Sequence, residues 1–243
     1  MLALTLAASL SFDHSAFDAL LKKHVTPAGL VDYDAFGRAP EFKRYLKDLA
    51  AARPDALPPR EQLALWINAY NAYTIELVNA HGERESIRNI NKTLGVYRGK
   101  GPWQEPIARV GGRALTLDEI EHGIIRKRFA EPRIHFALVC AAMGCPELRR
   151  EAYTGERLSA QLDDQARAFI LRSPRRNRVD VAARTVHVSP IFTWYREDFG
   201  GDDAAIGRYL ARYFPPGPEQ QLLAGGRFTL ETTEYDWSLN RPR

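Results

Sequence analysis

Cysteine is scarce in this chain: Cys140 and Cys145 are the only two among 243 residues. Two cysteines do not make the multi-bridge framework that holds small secreted domains together, so the fold must rest on a hydrophobic core. Apolar runs are short as well. None approaches the about eighteen residues that a membrane-spanning helix requires, so no transmembrane segment is expected. Internal repeats, low-complexity blocks and Gly/Ser-rich linkers are missing too, and one domain over residues 12–243 is the simplest organisation. The familiar catalytic and nucleotide signatures are absent. There is no Gly-x-Ser-x-Gly elbow, phosphate-binding loop, Gly-x-Gly-x-x-Gly or His-Glu-x-x-His, and no cofactor is expected. No metal site is expected either, because the cysteine pair would need two further ligands from far along the chain, such as His122 and His135.

What is present is ordinary for a globular protein, with 45% hydrophobic and 26% charged residues. The net charge of +4 rests on scattered arginines with short clusters at Arg126–Arg128 and Arg175–Arg176. These read as solvated faces rather than a nucleic-acid footprint, which needs a basic stripe with interleaved aromatics. Leu2 to Leu10 is an apolar stretch like the end of a secretory signal, yet no basic residue precedes it. Residues 1–11 are therefore read as a signal remnant or a disordered tail. A periplasmic or secreted location follows in the first case, a cytoplasmic one otherwise.

The first half has helical periodicity. Phe17, Leu20, Leu21 and His24 share one face, as do Phe42, Tyr45, Leu46 and Leu49, and a long helix is expected from about Arg60 to Ala80, stopped by Gly82. Strand signals follow. Ile107–Val110 and Arg113–Leu115 flank Gly111–Gly112 as a hairpin. Thr116 and Glu119 form a capping box that starts a helix through Phe129. Arg133–Cys140 reads as a short buried strand. Thr154 is expected to cap a helix with the stripe Leu158, Leu162, Phe169 and Ile170, Val179–Val188 to form a second hairpin, and Arg227–Thr233 a late strand. The expected fold class is α+β, with helices packed on a largely antiparallel sheet.

Chemistry-bearing residues concentrate in a few places. Asn68 and Asn71, three apart, share a face of an otherwise apolar helix, where an amide is expensive unless satisfied. They either tie down neighbouring loops or orient an imidazole or oxyanion. His122 lies on the Thr116-capped helix among Glu119, Glu121 and Arg126 and is a candidate base. His135, within the apolar run, fits a core histidine better. Cys140 ends the expected strand. Cys145 precedes Pro146 and would sit at a helix N-terminus, which favours a thiolate. Their spacing is not the redox Cys-x-x-Cys, and a local disulfide remains open.

Together the segments Trp66-Ile-Asn-Ala-Tyr-Asn71, Ile120-Glu-His122 with Arg126, His135-Phe-Ala-Leu-Val-Cys140 with Gly144-Cys-Pro146, Ile191-Phe-Thr-Trp-Tyr195 with Asp198-Phe199, and Tyr235-Asp-Trp-Ser-Leu-Asn240 resemble the domain of unknown function 547 family. The resemblance implies a bacterial and plant family, often exported in bacteria, without an assigned activity. It also implies that Cys140 is the more regular cysteine. A distant papain-like or transglutaminase-like arrangement is suggested by the Cys, His and Asn set, although His122 precedes the cysteines, unlike the papain order. Two functions follow as expectations. In a thiol-dependent acyl-transfer enzyme or hydrolase, Cys140 attacks an amide or ester, with His122 as base and Asn68 or Asn71 as orienting groups. In a noncatalytic binding or scaffold domain, Trp66, Trp194, Tyr195 and Arg126 line a polar and aromatic pocket for a small molecule or peptide. Substrate and oligomeric state are not legible.

Overall fold

The computed structural model describes residues 10–93, 96–97 and 101–242; residues 2–9 of the apolar N-terminal segment lie outside them. The N-terminal part is helical, with α1 Ser15–His24, α2 Tyr33–Arg38, α3 Pro40–Ala51 and α4 Pro59–Ala80. The expected faces are the buried ones: Phe17, Leu20 and Leu21 on α1, and Phe42, Tyr45, Leu46 and Leu49 on α3. Pro59 starts α4, where its missing N–H costs nothing. The middle of α4 is buried on every side, as its lack of a polar stripe requires, and it forms the axis of the first core cluster.

Strands are short and do not form one sheet. A ribbon pairs β1 Lys92–Thr93 with β2 Val96–Tyr97, and β3 Ala108–Val110 pairs antiparallel with β4 Arg113–Leu115. Gly111 (φ 59°) and Gly112 (φ 76°) supply the two left-handed residues that a two-residue hairpin turn demands. Further on, β5 Arg178–Asp180 and β6 Thr185–Val188 are antiparallel, but β7 Thr229–Thr232 joins β6 in parallel. The expected sheet with helices packed on it is thus corrected to a mostly helical α+β fold with small separate sheets.

The Thr116 capping box forms as the sequence predicts. The Thr116 N–H donates to the Glu119 carboxylate (2.7 Å) and the Glu119 N–H donates to the Thr116 hydroxyl (3.0 Å). The helix it starts has π geometry over Glu119–Ile125 and ends as α5 Arg126–Arg128. Arg133–Cys140 is not a strand. Pro132 opens a 3₁₀ turn over Pro132–Phe136, and the Glu131 carboxylate accepts from the Arg133 N–H. Beyond it the chain is irregular, because the Asn71 side chain takes the place of a neighbouring strand. Helix α6 Leu158–Leu171 buries the predicted stripe, but Thr154 does not cap it, and the N-cap position is Arg157. The sequence reading also missed α7 Ile191–Trp194, α8 Asp203–Ala211 and α9 Pro218–Gly225. Two of them carried local signals. Asp202 caps α8 by accepting from the Ala205 N–H, and Pro218 opens α9.

Helices α8 and α9, the end of α6 and β6 enclose a second core cluster around Phe136, Phe192 and Phe199. The C-terminal segment then returns across the first cluster, where the Tyr33 hydroxyl donates to Asn240 (2.5 Å) and Leu239 bridges Ala142. No described helix is long and apolar enough to cross a membrane.

Candidate functional site

The two amides of α4 are structural clamps. Asn68 donates to the Tyr153 carbonyl (2.7 Å) and accepts from the Tyr153 N–H (2.9 Å). Asn71 donates to the Ala137 carbonyl (2.9 Å) and accepts from the Val139 N–H (2.9 Å). Each amide thus pairs with a loop as a peptide group would, and Asn71 fixes the backbone directly before Cys140. Neither is aimed at an imidazole.

Cys140 and Cys145 are joined in a disulfide, with Cα atoms 6.2 Å apart. This corrects the expectation of a free nucleophile, since neither sulfur carries a thiol that could attack a carbonyl. The helix-terminus argument for Cys145 also falls, because no helix begins at Pro146. Cys145 is buried, whereas Cys140 is only partly covered. The Cys145 sulfur accepts from the Cys140 N–H (3.1 Å) and from the Tyr235 hydroxyl (3.2 Å), and the same hydroxyl lies 3.1 Å from the Cys140 sulfur. Residues 141–144 close the loop with Ala141 at φ 64°, and three backbone hydrogen bonds hold them: Met143 N–H to Ser238, Gly144 N–H to Asp236, and Asn240 N–H to Ala141.

Both sulfurs border a cavity of about 40 Å³ at the seam of the two core clusters. It is lined by the buried residues Tyr70, Glu121, His135 and Leu138 and by the more exposed Tyr195, Tyr235 and Trp194, which mark its mouth. Glu121, 5% exposed, is the residue that the sequence reading passed over in favour of His122. A signal existed: Glu121 stands four residues from both Leu117 and Ile125, on the apolar stripe of its helix. A buried carboxylate is costly without partners. The Tyr70 and Tyr195 hydroxyls supply them, and burial first, then Glu121, push both phenols far above the usual tyrosine range.

His122 itself is exposed and turned away, with its Nδ1 3.1 Å from the Arg126 guanidinium. The structure brings His135 to the cavity instead. Its Nε2 lies 2.6 Å from the Asp198 carboxylate and its ring stacks on Tyr195 at 3.8 Å between centroids. Arg126 grips the same carboxylate with two bonds, Nε at 2.7 Å and Nη2 at 2.9 Å. Together His135 and Arg126 hold the Asp198 carboxyl well below the usual carboxylate range, the His135 hydrogen bond being the largest cause. Arg126 therefore acts as a brace between α5 and Asp198, with its guanidinium also 5.3 Å from the Tyr195 ring centre. Trp66 is buried in the first core cluster, 2% exposed, and does not line the cavity.

Outside the cavity mouth the aromatics continue as a shelf. Trp194, 51% exposed, contacts Tyr235 (4.8 Å between centroids) and Trp237 (5.8 Å), and Trp237 meets Trp103 (6.1 Å). Tyr235 can lie this close to the disulfide loop only because residue 144 is glycine, since a Cβ there would stand 2.9 Å from the tyrosine ring. Gly144→Ala is expected to cost about 1–3 kcal/mol by overfilling this contact. Urea denaturation checks it. Gly123→Ala, where the nearest atom to a Cβ is 3.9 Å away, serves as the comparison and should not lower the midpoint.

Among the described residues, no group of three or more His, Cys, Asp or Glu is arranged to hold a metal ion. No curated protein and no solved structure matches the chain, so the suggested kinship with papain-like or transglutaminase-like folds has no fold-level counterpart. Asn68, Asn71, Glu121, His135 and both cysteines fall in the segment that a family model does recognise, while Trp194, Tyr195, Asp198 and Tyr235 are brought to it from beyond. That segment, residues 54–170, matches the model of the family described as protein of unknown function, DUF547.

Proposed function

We propose that the aromatic shelf and the cavity beside it form a binding site for a peptide. The observation that carries this reading is Trp194, a large aromatic that is half-exposed beside a small cavity with a few polar groups and is continuous with Tyr235 and Trp237. Large exposed aromatics are the residues that anchor partners most strongly. The cavity, at about 40 Å³, is far below the roughly 300–1,000 Å³ that encloses a free small molecule. It has room for one small side-chain group or a water. An extended chain laid on the shelf, with one small side chain entering the cavity, fits both features, and Glu121, His135 and Tyr235 offer polar partners to its tip.

Trp194 fluorescence is the natural probe. Titration of the full chain with a panel of heptapeptides should give saturable quenching for those with a small polar side chain at the centre. Because the tryptophan in question is also a reporter, Trp194→Ala is followed by anisotropy of labelled peptide, with a loss of at least roughly tenfold in affinity expected. Equal affinity in the variant, or no binding across the panel, overturns the reading.

A further inference from the structure

We propose that Cys140–Cys145 is a redox-active disulfide that exchanges with a cysteine thiol of the bound peptide, with Cys140 as the attacked sulfur and Cys145 as the leaving one. This rests on the peptide-binding reading for its substrate class, while the chemistry rests on the sulfurs themselves.

Exposure and hydrogen bonding distinguish the two sulfurs. Both residues border the cavity into which a small side chain fits, and Cys140 is the less covered of the two. Cys145 is buried at 2% exposure and so is the less accessible to a bulky thiol. Its sulfur alone receives the Cys140 N–H, at 3.1 Å, and the Tyr235 hydroxyl stands within reach of both sulfurs, 3.2 Å from Cys145 and 3.1 Å from Cys140, so that its proton can serve the one that becomes the thiolate. A disulfide sulfur is a weak acceptor and gains little from them; a thiolate gains much more, because hydrogen bonds to charged groups are about twice as strong as neutral ones. Donors placed in advance where charge develops are the mark of a site prepared for that charge. Tyr235 keeps its proton, since burial pushes its phenol well above the ordinary range. Arg176, which donates to the Met143 carbonyl within the same loop, adds positive potential nearby. Glu121 lines the cavity and opposes that potential; His135 is occupied on one side by Asp198.

The exchange balances without an outside oxidant. A substrate thiolate bonds to the Cys140 sulfur, the Cys140–Cys145 bond breaks, and its electron pair leaves on Cys145. A second substrate thiolate then attacks the substrate sulfur of that mixed disulfide and expels the Cys140 thiolate. The substrate pair ends as a disulfide, oxidised by two electrons, and the protein as a dithiol. The same two steps in reverse, with glutathione disulfide, restore the bond. Three backbone hydrogen bonds to residues 236–240 hold the loop in addition to the disulfide, so its shape should survive reduction.

The test mixes the oxidised full chain with reduced glutathione, or with a heptapeptide carrying one central cysteine, and reads the products by iodoacetamide trapping and mass spectrometry without denaturant. The expected product is a mixed disulfide on Cys140 with Cys145 alkylated, at unchanged circular dichroism. Tyr235→Phe, which keeps the ring against Gly144, should slow its formation roughly tenfold. The proposal is overturned by an adduct chiefly on Cys145, by reduction that occurs only in denaturant, or by a wild-type rate in Tyr235→Phe. Trp194→Ala separates the two readings. If only the shelf reading fails, the variant and wild type react equally with the peptide, still at Cys140. If only the exchange reading fails, the peptide binds through Trp194 and both sulfurs stay unmodified.

Discussion

Asn71→Ala is expected to lower the free energy of unfolding by about 3–5 kcal/mol, because it strands two buried backbone groups at once. The Asn71 amide is 3% exposed and pairs with the Ala137 carbonyl and the Val139 N–H, both in a segment that forms no strand and no helix. No neighbouring chain replaces those bonds when the amide goes, and water has poor access. Asn71→Asp is a sharper variant. It keeps the shape and the acceptor for Val139, yet sets an oxygen against the Ala137 carbonyl where a donor stood, so it too should destabilise. Urea denaturation gives the size of the effect. Hydrogen exchange at the Val139 amide gives its location, with protection lost in both the alanine variant and any variant that frees residues 137–139. A Val139 amide that stays protected in Asn71→Ala would show that the segment is held by something else, and the clamp would have to be abandoned. Because this segment runs straight into Cys140, the same variant should also loosen the attacked sulfur and blur the Cys140 preference of the exchange.

The second large effect is a loss of stability on mild acidification, centred on His14. This histidine is 4% exposed, its Nδ1 lies 2.7 Å from the Tyr45 hydroxyl, and its Nε2 has no hydrogen-bond partner among the described residues. Burial is the largest cause and holds its pKa down at about 4, against a small opposing pull from Asp13. In the unfolded chain the imidazole takes a proton near pH 6.5, while in the folded chain it resists until about pH 4. The unfolded state therefore binds more protons between those values, and stability falls as the pH is lowered through that window. A displacement from 6.5 to about 4 corresponds to about 3 kcal/mol once the lower limit is reached. His24, also lowered chiefly by burial, adds to the loss with the same sign. The carboxylates act lower still: Asp198 contributes stability that is present above the ordinary carboxylate range and disappears only on stronger acidification. Unfolding free energies from urea titrations at pH 7, 6, 5 and 4 should thus decline in the wild type and stay much flatter in His14→Gln. Parallel declines in the two proteins would remove His14 as the cause.

Much of the helical half was legible because its signals are local. The stripes of α1, α3 and α6 and the capping box at Thr116 depend on residues three or four apart, and the glycine turn on two adjacent positions; all of these form as read. The errors share a cause as well. Arg133–Cys140 has a strand's composition, but whether a short apolar run becomes a strand depends on a neighbour to pair with, and here the neighbour is a side chain 66 to 68 residues away. β7 has the pattern of a strand in either direction, and its parallel pairing with β6 was decided by how α8 and α9 return the chain.

The candidate site shows the same division. The motifs singled out both cysteines, Asn68, Asn71, His122, His135 and the Trp194–Tyr195 pair as candidates, and the apolar stripe through Leu117 and Ile125 marks Glu121 as inward-facing. Only the tertiary structure decided what each does. It closed the sulfurs into a disulfide, spent the Asn68 and Asn71 amides on backbone, and turned His122 to solvent. It also set His135 against Asp198 across 63 residues and Tyr235 against both sulfurs across 90 or more. The reason is physical. Local periodicity fixes which face of an element is apolar, whereas the partner that meets a polar group on that face is chosen by the closure of distant segments around a common core, and no spacing along the chain encodes that choice.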